Sequence, residues 1–268
     1  VEQTGGTIRF GLPITDNFSA GLAYNLVQEK YKLYTDNDGN VLSDYYAPAL
    51  IEAADHSPWI RSSISYSLTY NSIDDMKNPH DGIYAKFNQE FAGLGGDAKY
   101  IKTTFKGNYY QTLAQEADIV GMLGVGGGYI HEFGNDGVRI FDLFKNNSDM
   151  IRGFKFNGIG PYQDAENGNR YWLGGTTYFN ATAEVQFPMP LVPDSLGIRG
   201  AFFADAATLY GNNTANIDGD DKKIRSSVGV SLLWASPFGP LRFDYALPVS
   251  KADSDKVQNF NLGVYTKF

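Results

Sequence analysis

Through most of this chain apolar and polar residues alternate with period 2, and charge is confined to one of the two phases. Successive side chains of an extended strand point to opposite faces, so this pattern commits the chain to strands with one face almost free of charge. In residues 59–70, Ile60, Ile64, Tyr66, Leu68 and Tyr70 face one way, and Arg61, Ser63, Ser65, Ser67 and Thr69 face the other. Eleven such segments are read at 4–12, 18–28, 59–70, 83–91, 99–109, 119–133, 171–187, 196–205, 223–234, 241–247 and 257–268, with Gly, Asn, Asp and Pro clusters between them. When apolar residues alone set each phase, Arg9, Arg61, Lys86, Glu90, Lys102, Lys106, Glu184, Arg199, Asp205, Lys223, Arg225, Arg242 and Asp244 all fall on the opposite face. Lys99 breaks phase at a strand end.

Two architectures segregate faces in this way: a soluble barrel or sandwich with the apolar face inside, and a membrane barrel with it outside. Period alone does not choose between them. Volume helps, because a barrel this large encloses more space than Ser, Gly, Thr and Ala side chains fill, whereas a polar lumen suits them. The expected fold is therefore all-β, a transmembrane antiparallel up-and-down β-barrel with about 11 strands in this chain. Short connections such as 188–195 and 236–240 alternate with mostly longer ones such as 134–170 and 210–222, as on the two rims of an outer-membrane barrel. Gly95-Gly96 is an exception, a tight turn on the long-loop rim, and 29–58 reads as a long polar loop. Trp59, Tyr70, Tyr109, Phe187, Trp234 and Phe268 lie near strand ends, where an interfacial girdle would sit, although strand propensity also places aromatics there. No run approaches the roughly 20 apolar residues of a spanning helix, a test that transmembrane strands of about 9 to 11 residues escape.

Composition narrows the chemistry. A net charge of −8 lacks the basic stripe that binding nucleic acid requires. Absence of Cys excludes disulfides and thiolate catalysis. The three His, at 56, 80 and 131, have no zinc or triad spacing. Glycines at 124–128 lack the Lys-Ser/Thr of a phosphate loop and read as a strand face against which another segment packs closely. Acidic runs at 36–40 and 218–221 lack the sixth-position Gly and closing Glu of a calcium loop. No catalytic residue, cofactor or metal is expected, and the chain is not read as an enzyme. Residues 1–6 carry neither a basic leader nor an apolar core, so any export signal is expected to be absent from this sequence.

One connection does not behave as a solvated loop. Residues 150–162, MIRGFKFNGIGPY, are apolar and aromatic around a single Arg152, so this stretch should pack against something. A guanidinium buried in a lumen demands carboxylates, and Glu184 and Asp205 have the inward phase. The alternative is that both acids are ordinary lumen charges facing water.

The same residues carry a resemblance. Ile151-Arg152-Gly153-Phe154 resembles the arginine-glycine signature in the sixth extracellular loop of the outer-membrane insertase family, which includes BamA, TamA and the two-partner secretion transporters. AEVQFPMP at 183–190 and FFADAA at 202–207 resemble the two strands that follow, and 225–248, with WASPFGPL at 234–241, is similar to the BamA-type pattern. Residues 5–23 resemble a strand pair of the same type. The resemblance implies an inward-folded loop at about 134–170 whose Arg152 pairs with Glu184 and Asp205 on the lumen wall. It implies a C-terminal targeting signal in NLGVYTKF, where Asn261, Gly263, Tyr265 and Phe268 are the signal and seam residues and Thr266 departs from the usual apolar position.

Family barrels have sixteen strands behind periplasmic domains, and five strands follow the big loop. By that count this chain begins at about the sixth strand, and 1–268 is the C-terminal portion of one barrel domain. The implied function is folding and insertion of β-barrel proteins through a lateral seam. Implied partners are outer-membrane lipids, unfolded barrel clients and accessory lipoproteins bound through domains outside this sequence, with no nucleic acid. A TamA-like or two-partner-secretion polypeptide transporter and a passive diffusion porin are the alternatives.

Overall fold

The computed structural model describes residues 2–134, 137–237 and 239–264. Eleven strands form one sheet in sequence order: β1 (Glu2–Pro13), β2 (Phe18–Lys30), β3 (Trp59–Asn71), β4 (Gly82–Gly96), β5 (Tyr100–Ala114), β6 (Ile119–Glu132), β7 (Thr177–Pro188), β8 (Ile198–Tyr210), β9 (Arg225–Ser236), β10 (Gly239–Ser250) and β11 (Phe260–Val264). Every neighbouring pair is antiparallel. Among the described residues β1 pairs only with β2 and β11 only with β10, so the sheet is an eleven-strand wall. Tyr265 and Phe268 lie outside the described residues.

The two phases part as charge and volume require. Phe10, Leu123, Phe202, Val230 and Leu262 of the apolar phase stand exposed on the outside, where they meet lipid, while Glu184, Asp205, Arg225, Arg242 and Asp244 are buried on the inside. The apolar phase therefore makes no dry centre. Instead the interior is filled by the 133–176 connection, whose Met150, Ile151, Phe154 and Ile159 pack on Ala207 and Leu209 of β8. On β6 the glycines give neighbours room, and a Cβ at Gly128 would lie 2.6 Å from Phe144 of that connection.

Two strands and one connection differ in kind from the sequence reading, and in both strands the hydrogen-bonding partner changes partway along. Residues 171–187 are not one strand: Arg170–Trp172 pairs with Tyr162–Asp164 as a hairpin within the connection, and Gly174, at φ +84°, turns the chain before β7. Likewise 257–268 is broken. Val257–Gln258 pairs with Gly153–Phe154 of the inward loop, and only after Asn259, whose side-chain amide donates to the Ala246 carbonyl, does β11 join β10. Within 29–58 lies a helix, α1 (Pro48–Asp55), with Pro in its first turn; Ala49 and Ala53 pack on Ile140 and Leu173, so tertiary contact supports a helix too short to stand alone. Trp59 is also corrected: it points inward, buried, rather than into an interfacial girdle.

At the short-turn rim, three pieces of chain meet on Asp118 in the β5–β6 turn. His80 Nε2 lies 2.9 Å from Oδ1, and Arg199 of β8 pairs with Oδ2 and donates to the Asp118 carbonyl at 2.7 Å. Partial burial raises the Asp118 pKa, but the hydrogen bond and charge of Arg199, with His80, outweigh it and hold the carboxyl below its ordinary value. A depressed acid stabilises the fold above its unfolded pKa of about 3.9 and loses that contribution as pH falls through the folded value. Acidification below about pH 4 is thus expected to loosen this clasp, read as loss of amide-exchange protection in the 115–118 turn; protection that stays constant down to pH 2 would show that the ion pair contributes nothing.

Candidate functional site

The inward loop ends in a buried ionic network. Residue 153 turns at φ +92°, and a Cβ there would sit 3.2 Å from the Ala246 Cβ and 3.4 Å from the Ser227 Cβ, so only glycine allows the loop to approach β9 and β10 this closely. Ile151 and Phe154 on either side are buried, which drives the tip into the interior and carries Arg152 with it.

Arg152 is bound on every side. Its Nε donates to Asp205 Oδ2 at 2.7 Å and its Nη2 to Asp205 Oδ1 at 2.6 Å, a two-pronged pairing that its main-chain N–H reinforces at 3.0 Å. Nη1 donates to Glu184 Oε2 at 2.9 Å and Nη2 to Thr182 Oγ1 at 3.0 Å. Below the guanidinium lies the ring of Phe203, 3.4 Å from Cζ to centroid. Both acids predicted from sequence are therefore brought to Arg152. Their strands put them there: Thr182 and Glu184 share the inward face of β7, and Thr182 stands opposite Asp205 across the β7–β8 ladder.

The network also holds residues that the sequence reading left out of the site. Arg242 of β10 donates to Glu184 Oε1 at 3.2 Å, Glu184 Oε2 at 2.5 Å and Asp244 Oδ1 at 2.7 Å, while Ser231 bridges to Asp244. Glu184 is thus shared by two guanidiniums. Two cations face three carboxylates, and hydroxyl and amide donors from Thr182, Ser231 and Gln186 satisfy other lone pairs. Signals for the missing members existed: Arg242 and Asp244 stand two apart on the charged phase, and Phe203 is an aromatic residue in that phase beside Asp205.

Beyond the tip, the loop is tied to the approach to β11. Gly153–Phe154 pairs with Val257–Gln258, Lys155 N–H donates to the Lys256 carbonyl at 2.9 Å, and Lys256 N–H donates to that of Gly158 at 2.8 Å. Asp255, just before, chelates the guanidinium of Arg225 at 2.9 and 3.1 Å with both side chains fully buried. Of the seam residues, Asn261 and Gly263 lie on β11 opposite Asp244 and Arg242, and neither touches Arg152 through its side chain among the described contacts.

A lipid-facing antiparallel wall with a long loop folded into its interior and held there by an arginine defines a class of outer-membrane β-barrel. The chain belongs to the Omp85 superfamily, whose domain matches residues 1–268. It is 33% identical, over its whole length, to the outer membrane protein assembly factor BamA of Neorickettsia risticii, of which it spans 34%. It is 30% identical, over 80% of its length, to a SAM50-like protein of Schizosaccharomyces pombe, of which 45% is covered. The crystal structure of BamA from Haemophilus ducreyi lacking POTRA domains 1-3 shares the fold, with a TM-score of 0.77 at 24% identity, covering 97% of this chain and 53% of that one. The chain thus spans between about a third and a half of these relatives. It corresponds to the C-terminal barrel portion of a BamA-type protein and lies in the bacterial outer membrane.

Proposed function

We propose that this chain is the barrel portion of an outer-membrane protein assembly factor, which folds and inserts β-barrel clients through a lateral seam without nucleotide hydrolysis. One observation carries the reading: the inward loop that grips the wall through Arg152 also pairs with Val257–Gln258, immediately ahead of the last described strand. In the mechanism this supports, the loop acts as a latch on Glu184 and Asp205 and keeps the approach to β11 seated. The seam lies between the last strand and the first strand of the complete barrel. Main-chain groups at that edge template a client strand by β-augmentation, and thinning of the adjacent bilayer lowers the insertion barrier. Gly263 lowers packing in β11 and favours bending there, while Asn261, Tyr265 and Phe268 are the other residues of the C-terminal signal in this reading. Lipids of the outer membrane, unfolded barrel proteins and accessory lipoproteins are the partners of this reading.

A porin reading accounts poorly for a loop fixed by an ion network, since a diffusion pore needs opposed rows of free charge at its constriction. A polypeptide transporter of the same superfamily would be favoured by a helical plug; here the helix α1 packs on the loop through Ile140 and Leu173, and the loop itself fills the interior. A disulfide engineered across the seam of the full-length protein is expected to block client insertion and growth, with reductant restoring both. Normal growth with the seam locked would refute the mechanism.

A further inference from the structure

The root of the inward loop carries a second buried arginine. Arg139 Nη2 donates to Glu29 Oε2 at 2.9 Å at the end of β2, and both side chains are at least nine-tenths buried. Its guanidinium carbon lies 4.3 Å from the centroid of Trp59, the first residue of β3, and 4.9 Å from that of Tyr31. Tyr31 in turn stacks on Phe141 at 3.5 Å between centroids, so the loop supplies a further ring to the cage. Glu29 also accepts from Gln3 Nε2 through Oε1 at 3.0 Å and from the Tyr31 hydroxyl at 3.2 Å through Oε2, the oxygen that Arg139 uses. The backbone is held as well: Arg139 N–H donates to Asp142 Oδ2 at 3.0 Å, and Lys102 of β5 donates to the Asp142 carbonyl at 2.9 Å.

We propose that Arg139 is a second anchor of the loop, a positioning residue that ties the root to β2 and β3 and thereby sets where Arg152 meets β7, β8 and β10. The proposal rests on the latch reading of Arg152 and extends it. Sheet order places β4 to β6 between the two anchoring sites, so the loop spans the interior as a strut. An exposed ion pair would do little of this, but a cation enclosed by Trp59, Tyr31 and a buried carboxylate loses all its partners at once if the root shifts. Separation of the two stretches of wall is then coupled to breaking one anchor.

The test uses the full-length protein in lipid vesicles, with a spin-label pair joining the loop near Asp149 to the extracellular end of β8, and protease cleavage of the loop as a second readout. Arg139→Ala is expected to raise the loop cleavage rate by about tenfold or more and to broaden the tip-to-β8 distance although every partner of Arg152 is intact. Arg139→Lys, which keeps the cation over Trp59, should restore the narrow distance in part. A root that is cleaved faster while the tip distance stays sharp would overturn the positioning role. Should Arg139→Ala fail to assemble, Glu29→Gln, nearly isosteric, is expected to broaden the same distance, and no change there would equally overturn it. Arg152→Ala separates the two claims: if it leaves the tip distance sharp, the latch reading fails; if it broadens that distance and Arg139→Ala does not, only the second anchor fails.

Discussion

Replacing Arg152 with Ala is expected to release the loop tip into the lumen while the eleven strands stay paired. The guanidinium is enclosed by Asp205, Glu184, Thr182 and the Phe203 ring, and its removal leaves Asp205 without its two-pronged partner inside the wall. Breaking a buried pair by deleting one member costs roughly 3–5 kcal/mol, because the remaining charge keeps its desolvation and loses its compensation. Glu184 is cushioned, since Arg242 still donates to both of its oxygens, so the larger share of the loss falls on Asp205. Protease cleavage within 147–159 of the folded protein should accelerate accordingly, and unchanged sensitivity would count against the latch. Arg152→Lys should fall between wild type and Ala, because one ammonium cannot reproduce the fork that serves Asp205 and Glu184 together. Loss of Glu184 in addition to Arg152 should cost less than the sum of the separate losses, since the two groups act as one network.

Arginine placed on the lipid face should be nearly as damaging, and the same residue on the lumen face should not be. Val230 lies in the middle of β9 with its side chain exposed to the outside, between Tyr245 and Phe202 in the ladders. A charge at that depth on the lipid face costs about 2–4 kcal/mol. Ser65 has the opposite phase on β3 and stands across from Glu90, so Ser65→Arg acquires a carboxylate neighbour in a polar interior and should change stability by no more than about 0.5 kcal/mol. The comparison is made from denaturant midpoints of the barrel folded into lipid vesicles. A tolerated Val230→Arg beside a damaging Ser65→Arg would reverse the assignment of the two faces, and with it the membrane-spanning architecture.

The depth to which each feature was legible in the sequence follows from the range of the interaction that creates it. Strand phase is local. Side chains two residues apart share a face, so the alternation alone separated Glu184, Asp205, Arg242 and Asp244 from Phe202, Val230 and Leu262, and an apolar run around Arg152 marked a loop that had to be buried. Phase alone left Glu184 and Asp205 as inward acids that could equally have faced water, and the family resemblance joined them to Arg152. What phase does not contain is height along the strand relative to distant strands. Arg242 and Asp244 enter the network because the stagger of β7 to β10 brings them level with Glu184, and no period within β10 records that stagger.

The same limit explains the boundaries. Residues 171–187 and 257–268 were each read as one strand, yet Arg170–Trp172 and Val257–Gln258 take their hydrogen bonds from the inward loop, a choice settled by which backbone lies nearby. Trp59 sits at a strand end as an interfacial aromatic would, but it turned inward to cover Arg139, a residue far away in sequence. For this protein the sequence by itself determined a charged face, an apolar face and an arginine that required acids, because those properties belong to residues and their nearest neighbours. Only the tertiary structure decided which groups converge on that arginine, where strands yield to the loop, and that Arg139 at the root of the loop meets Glu29 and Trp59, because convergence of distant segments depends on curvature and register that no local pattern encodes.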